Sequence, residues 1–392
     1  MAKCRAMFLI FLVWTSLFFT FLPPAFGAET VTSPAADPVK DVDMSKLQDF
    51  LRNMDQETKA YMPDLQLSSL LERVKSGKIG ISPQQVLSGI LRLLFKEVVA
   101  NAGLMAKLVI LAVLCGVLQH LQNAFEGNVS KVAQAMSYLV LLTIALTSFT
   151  VAIDSGKKAI DDMVNFMQAL LPVLLTLLVA LGNFTSAAIF HPFILTTLTF
   201  MATLIKNVVF PLLFLGAVLA IINHISDQLK VSRLAGLLNY TSKALLGLTL
   251  TVFVGVIVVQ GVAGSVADGV ALRSAKFATD TFVPVVGRWF SDTVELVVSS
   301  ALLLKNAVGI VGIIVVLFIT VLPIIKIVSI MLIYRIAAAL VQPLGNDSLS
   351  EVLQTMSSSL TLVFAAVASV GLMFFVAISI ILATGNFTAM LR

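Results

Sequence analysis

Charged side chains are scarce in this sequence. Only 12% of its 392 residues are Asp, Glu, Lys or Arg, whereas 58% are hydrophobic. Soluble domains are about 25% charged, and a soluble core cannot bury so large an apolar fraction. A lipid bilayer must therefore be the solvent for much of the chain.

Cysteine and histidine are also rare, which excludes several kinds of site. The two cysteines, Cys4 and Cys115, provide neither a disulfide framework nor a cysteine-based metal centre. The three histidines, His120, His191 and His224, are far apart, and none belongs to a zinc-binding H-E-x-x-H motif. The sequence also lacks a G-x-S-x-G turn and a P-loop. We therefore predict no enzymatic activity and no cofactor.

The basic residues are in small excess and are scattered. The formal net charge is +5, and no stretch of the chain concentrates lysine and arginine into a patch. Nucleic-acid binding requires such a patch. We therefore predict no nucleic-acid partner.

Residues 1–27 have the features of an export signal peptide. Lys3 and Arg5 precede an apolar run that ends at Phe21, and small residues up to Gly27 suit a cleavage site. The alternative is an uncleaved signal anchor. In both cases the following residues begin on the far side of the membrane.

A small polar domain is predicted over residues 28–100. About 19 of the 47 charged side chains of the chain fall within it. Apolar residues at helical spacing predict helices over 47–54 and 67–74, and Ser82-Pro83 is a start signal for a third helix. Because it follows the export signal, this helical domain is expected to be extracytoplasmic. The third helix either lies on the bilayer surface or leads directly into the first span.

Residues 101–392 predict a multi-span transmembrane domain. Lipid leaves no backbone group unpaired, and the alternation of period two that a β-barrel needs is absent, so the spans are helices. At about 20 residues per crossing, there are roughly seven to nine spans: near 104–122, 132–153, 168–190, 192–223, 240–263, 294–341 and 360–383. The predicted fold class is all-α, a polytopic integral membrane protein with a small helical N-terminal extracytoplasmic domain.

Two Lys-Asn pairs interrupt the apolar runs. Lys206-Asn207 and Lys305-Asn306 share a K-N-x-V context. A lysine at the bilayer centre costs about 2.5–3.5 kcal/mol on insertion scales, so each lysine needs a physical reason. Either these lysines mark helix ends and extend to the headgroups, or they face a protein interior or an aqueous path. All four residues are therefore candidates for interior or path-lining positions.

A second group of candidates lies in GSVADGVALRSAKFATDTF, residues 264–282. Asp268, Arg273, Lys276 and Asp280 give this segment a balanced charge between two long apolar runs. The segment is either an interfacial or re-entrant helix with one face exposed to water, or a solvated connection between spans. Its two aspartates are the first acidic partners to consider for a buried lysine.

Seven stretches of the sequence carry a resemblance to a known family: NFMQALLPVLLTLL (165–178), TSAAIFHPF (185–193), LIKNVVFPLLFL (204–215), KVSRLAGLL (230–238), VADGVALRSAKFATDTFVPVVG (266–287), LLLKNAVGI (302–310) and AAALVQPLGND (337–347). They resemble the stage III sporulation protein AE family of endospore-forming bacteria. The similarity extends from the polar N-terminal domain through FAAVASVGLMFFVAI, near the end of the chain. It therefore covers nearly all of the chain after the signal peptide.

The resemblance implies a function that composition alone does not indicate. Proteins of this family are multi-pass components of the channel or transport complex that joins mother cell and forespore during endospore formation. They lie in the outer forespore membrane, and the complex supports late forespore gene expression. The implied partners are the other stage III sporulation A-operon proteins and, across the intermembrane space, stage II sporulation protein Q.

Two rival functions remain open at this stage. One is a self-contained small-molecule permease, and the other is an intramembrane enzyme whose site is assembled from distant residues. The missing P-loop means that energy for transport comes from a partner or from a gradient. The family resemblance implies no catalytic residues.

Overall fold

The computed structural model describes residues 45–58, 83–124, 128–225, 231–282, 287–344 and 347–390. Within these ranges the chain is helical apart from short turns and contains no β-strand. The predicted all-α fold is therefore confirmed. The predicted signal peptide, residues 1–27, and the predicted helix over 67–74 lie outside the described residues.

The described residues form nine α-helices, and two short segments of other helical types lie between them. A π-helical segment, Ile205–Val209, joins α5 to α6, and a 3-10 turn, Gln342–Leu344, follows α8. The helices are α1 Ser45–Thr58, α2 Pro83–Ala100, α3 Ala102–Ala124, α4 Asn128–Ala180, α5 Phe184–Leu204, α6 Phe210–Ile225, α7 Ser232–Phe282, α8 Gly287–Val341 and α9 Asp347–Met390.

The structure describes fewer spans than the seven to nine predicted. Five helical segments are long and apolar enough to cross a membrane, and α2 with α3 reaches the same length and hydropathy only as a pair bent by 47°. The difference arises because α4 continues without a break through the charged DSGKKAIDDM sequence. Likewise, α8 continues past Lys305 and Lys326. The helical backbone tolerates these charges, so they do not mark the ends of helices.

The predicted span over 168–190 is wrong, because the chain reverses within it. Gly182, with φ of 82°, ends α4 in the left-handed conformation that favours glycine. The N–H groups of Asn183 and Gly182 donate to the carbonyls of Leu178 and Val179 at 3.0 and 2.9 Å. This bond pattern is a Schellman motif, and α5 begins at the next residue, so a tight buried turn connects the two helices.

Pro211 explains the π-helical segment between α5 and α6. Proline has no N–H group, so the carbonyl four residues earlier, that of Asn207, loses its α-helical donor. A π-turn inserted before the proline accommodates this loss without ending the helix. The sequence predicts a bend or break at this position, whereas the helical path continues from Phe184 to Ile225.

The candidate segment 264–282 is neither a loop nor a separate re-entrant helix. It is the last part of α7, which runs for 51 residues without interruption. Its alanines favour this continuity. The backbone therefore carries the four charged candidates of the segment along one helix.

Helices α8 and α9 form an antiparallel pair at the centre of the bundle, and α4 packs beside them. The hydroxyl of Tyr334 in α8 donates to the carbonyl of Ala145 in α4 at 2.7 Å, while Thr320 lies beside Met163. A Cβ on Gly309 would lie 2.1 Å from Leu382 of α9, so this glycine permits the close approach of α8 and α9. Such small residues matter in membranes, where packing rather than water exclusion drives helix association.

The described part of the polar N-terminal domain packs on this bundle. Helix α1 places Leu47 and Leu51 in the core, and the ring of Phe50 lies 5.2 Å from that of Phe166 in α4. Helix α2 begins at Pro83, as its start signal predicts, and is separated from α3 by Asn101 alone. The third predicted helix therefore leads directly into an apolar helix.

Candidate functional site: an ion pair and two buried charges

Lys206 forms an ion pair with Asp161 of α4. Its Nζ lies 2.5 and 2.6 Å from the two carboxylate oxygens, and the two side chains are 31% and 50% exposed. Lys206 lies in the π-helical segment, while its neighbour Asn207 is exposed. The pair joins α4 to the π-helical segment at a partly exposed position, so its Coulomb energy is reduced by solvent.

Asp268 stabilises the N-terminus of another helix. Its carboxylate, only 1% exposed, accepts hydrogen bonds from the backbone N–H of Thr185 at 2.9 Å and of Ser186 at 3.2 Å. Helix N-termini carry unpaired N–H groups and a partial positive charge, and a carboxylate satisfies both. Asn183, at the N-cap position, makes no side-chain capping bond, so a residue about 80 positions later supplies the cap.

The turn that Asp268 caps contains further buried polar atoms. Asn183 and Ser186 are both fully buried. In the described part of the chain, no hydrogen-bond partner is found for the side-chain amide of Asn183 or for the hydroxyl of Ser186. A Cβ on Gly264 would lie 2.7 Å from that hydroxyl, so α7 approaches the turn closely one helical turn before Asp268.

Lys305 is fully buried between α8 and α9. Its Nζ donates a hydrogen bond to the backbone carbonyl of Leu382 at 2.8 Å. Its neighbour Asn306 is half-buried. The lysine therefore faces the protein interior and does not extend to a headgroup. Of the two alternatives that the sequence leaves open for Lys305, the structure has the interior one.

The candidate residues do not form a single site. Lys206 pairs with Asp161 and not with Asp268, the partner considered from the sequence, because Asp268 is directed at the α4–α5 turn. Gly261 lies beside Ile380 of α9, and Asp268 follows seven residues later, about 10 Å farther along the axis. Asp268 and Lys305 thus lie near the same end of the bundle.

The other three candidates of the 264–282 segment are placed by their backbone alone. Arg273, Lys276 and Asp280 belong to the last turns of α7, and their side chains lie outside the described residues. Among the side chains that are described, no group of three or more His, Cys, Asp or Glu could hold a metal ion.

Sequence reasoning missed two features. Asp161 lies in the charged DSGKKAIDDM stretch, and only the register of α4 against the π-helical segment places it beside Lys206. The second feature is a polar surface pocket of about 550 Å³ where α8 meets α9. In this pocket Arg335 Nε donates to the hydroxyl of Ser357 at 3.1 Å, and Glu351 is also part of the wall. The polar PLGNDSLSE connection was the available signal for this pocket.

Comparison with known proteins identifies the family. The family described as "Stage III sporulation protein AE" matches residues 65–385. The chain belongs to the stage III sporulation protein AE family. A curated member, "Stage III sporulation protein AE" of Bacillus subtilis (strain 168), is 42% identical over 366 residues, which cover 93% of this chain and 92% of the relative. No solved structure matches the chain.

Family membership implies a role in sporulation, and the apolar helices indicate a multi-pass membrane protein in that setting. The family is not known for catalysis. The resemblance inferred from the seven stretches is therefore confirmed, and all seven lie within the matched residues.

Proposed function

We propose that the protein is a membrane subunit of the channel or transport complex that joins mother cell and forespore during endospore formation. In this role it supports late forespore gene expression from the outer forespore membrane. Its partners are the other stage III sporulation A-operon proteins and, across the intermembrane space, stage II sporulation protein Q. Membership in the stage III sporulation protein AE family supports the sporulation setting.

The packing of the bundle interior is the observation that favours a subunit over a self-contained permease. One continuous cluster of buried apolar side chains includes residues from α4 through α9. Lys305, which is fully buried, donates to a backbone carbonyl within this packing, and Lys206 pairs at a partly exposed position. Neither lysine projects into a central path, so a path for cargo is expected at contacts between this chain and other chains.

Purification from sporulating cells tests the proposal. The tagged protein, extracted in mild detergent, should be recovered with other stage III A-operon proteins and with stage II sporulation protein Q. Cells that lack stage II sporulation protein Q serve as the control, because that partner must then disappear while the membrane partners remain.

The permease alternative makes the opposite prediction. The isolated protein, reconstituted into liposomes without partners, should show no flux of small metabolites above that of protein-free vesicles. Flux by the isolated chain, together with its recovery as a single protein from sporulating cells, would overturn the subunit proposal.

A further inference from the structure

The long helices are more than two and a half times as long as the hydrocarbon core of a bilayer is thick. Helix α4 has 53 residues, α7 has 51 and α8 has 55, so their lengths are about 77–83 Å. The hydrocarbon core of a bilayer is about 30 Å thick. A single bilayer therefore covers only part of the bundle, and the distribution of charge indicates which part.

Charged side chains form a belt partway along the bundle. We call this set the charged girdle; each of its members is at least partly exposed. The girdle consists of Asp154, Lys157, Lys158, Asp161 and Asp162 of α4, Lys206 of the π-helical segment, Lys243 of α7 and Lys326 of α8.

Contacts between α4 and α8 place these residues at one height. The Lys206–Asp161 pair fixes the π-helical segment against α4. Thr320 of α8 contacts Met163 of α4, and the two helices are antiparallel. Lys326 lies six residues beyond Thr320, and Lys157 lies six residues beyond Met163 in the same spatial direction. Both are therefore about 9 Å from that contact.

Contacts between α6 and α7 place Lys243 within the same band. Gly216 of α6 lies directly against Asn239 of α7, and α7 runs antiparallel because Asp268 meets the start of α5. Gly216 lies ten residues, about 15 Å, from Lys206 in the direction away from the α4–α5 turn. Lys243 lies four residues, about 6 Å, from Asn239 in the direction toward that turn. Lys243 is therefore about 9 Å above Lys206 along the axis. The girdle is thus a band about 10 Å deep.

On one side of the girdle lies a zone in which the described side chains of α4 to α9 include no exposed charge. It extends to the α4–α5 turn and includes residues 163–180 of α4 and 184–205 of α5 and the π-helical segment, which are about 27 and 33 Å long. Among the described side chains of α4 to α9 in this zone, the charged ones are Lys305 and Asp268, which are 0% and 1% exposed. Its length matches the hydrocarbon core of a bilayer.

On the other side of the girdle, three helices carry charged side chains. Arg233 of α7 is exposed and lies ten residues, about 15 Å, beyond Lys243. Arg335 of α8 is half-buried, and Glu351 of α9 is exposed near the point where Ser350 bonds to α8. Exposed charges at this spacing are costly in hydrocarbon.

Helix α1 gives independent support for an interface near the girdle. It is amphipathic, with Leu47 and Leu51 buried and Asp49 and Arg52 exposed. Its Phe50 packs on Phe166, only four residues, about 6 Å, from the girdle residue Asp162. An amphipathic helix that lies in the interface plane occupies this depth.

We propose that the bilayer covers only the half of the bundle between the charged girdle and the α4–α5 turn, with the girdle at the phospholipid headgroups. The other half projects out of the hydrocarbon core. The girdle has five lysines and three aspartates, so it favours anionic headgroups. This placement is independent of the cargo and of the partners proposed above.

Two positions on α7 give a matched test. Val252 and Leu234 are each nine residues from Lys243, in opposite directions, and are 41% and 49% exposed. The full chain, with both native cysteines replaced, carries a single cysteine at one of these positions, labelled with bimane. It is reconstituted into vesicles of phosphatidylglycerol and phosphatidylethanolamine, with or without acyl-chain bromines.

The two labels should respond in opposite ways. Bimane on V252C should lose most of its fluorescence to brominated lipid and little to aqueous iodide, and bimane on L234C should do the reverse. A label on K243C should be quenched by a headgroup nitroxide lipid. Only variants that restore sporulation are compared, which excludes misfolded protein.

Other quenching patterns would overturn the placement. If brominated lipid quenched L234C but not V252C, the bilayer would lie on the opposite half of the bundle. Equal quenching of both labels by brominated lipid would mean that the bilayer is centred on the girdle. Accessibility of both labels to iodide would mean that neither half is embedded at α7.

Discussion

Replacement of Asp268 should destabilise the protein, because this carboxylate caps α5 from another helix. In Asp268→Ala the N–H groups of Thr185 and Ser186 lose their acceptor. Ser186 is fully buried, whereas Thr185 is half-exposed and can recover part of its solvation. Hydrogen bonds to charged groups contribute about 1.5–3 kcal/mol each. Since one of the two donors is partly hydrated, we expect a total loss of about 3 kcal/mol, or roughly 100-fold in the unfolding equilibrium.

The conservative variant separates the lost bonds from the lost charge. Asp268→Asn keeps one acceptor oxygen, so its expected cost is about 1 kcal/mol. Purified variants are compared by denaturant titration in detergent micelles, with helicity followed by circular dichroism. Asp49→Asn, an exposed position beyond the first turn of α1, is the control and should behave like the unmodified protein.

Two results would refute this reasoning about Asp268. If Asp268→Ala and Asp268→Asn were equally stable, the hydrogen bonds to α5 would contribute nothing. The second result is that both variants unfold at the same denaturant concentration as the unmodified protein and still abolish heat-resistant spores at unchanged protein abundance. In that case the carboxylate would act on a partner or cargo and not as a cap.

The remaining predictions concern the lysines and the closest helix contact. A double-mutant cycle of Lys206→Gln and Asp161→Asn should give a coupling free energy of only about 0.2–1 kcal/mol in the same titration, because the pair is partly exposed. A coupling of zero would show that the ion pair does not contribute to stability. Gly309→Ala should cost about 1–3 kcal/mol through overpacking. Gly247→Ala, where an added Cβ meets nothing within 4 Å, should cost nothing. Lys305→Gln should lower both protein abundance on a blot and heat-resistant spore counts, because it changes the buried group that joins α8 to the Leu382 carbonyl of α9. Wild-type abundance and counts would show that this contact is not needed.

The helical class and the membrane setting were predictable because composition alone decides them. Low charge and long apolar runs require a bilayer, and lipid then requires helices. The start of α2 at Pro83 was also predictable, because proline suits the first helical position. These features depend on local chemistry or on totals, which a single sequence contains.

The continuity of α4 was not predictable from the same information. The charges of the DSGKKAIDDM stretch are equally compatible with a solvated connection between two helices and with a polar band on one longer helix. Pairing with Lys206 supports the second arrangement, but that pair depends on the register of α4 against α5. The register is set in turn by the tight reversal at Gly182.

The role of Asp268 was hidden for a related reason. A capping residue is sought within a few residues of the helix it caps, and Asn183 occupies that position in the sequence. The actual acceptor comes from α7, which approaches the turn where Gly264 lies against Ser186. No local pattern encodes a cap supplied by a distant helix.

Under the proposed function, the two buried charges limit where a transport path can lie. Asp268 is neutralised by the N-terminus of α5, and Lys305 donates to a carbonyl of α9, so each is held by backbone groups within the packed bundle. A path for polar cargo needs side chains that can exchange partners with water or with the cargo. The partly exposed charges of the girdle meet that requirement better than either buried charge does. A path formed with partner chains would therefore pass the outer surface of this bundle and not its core.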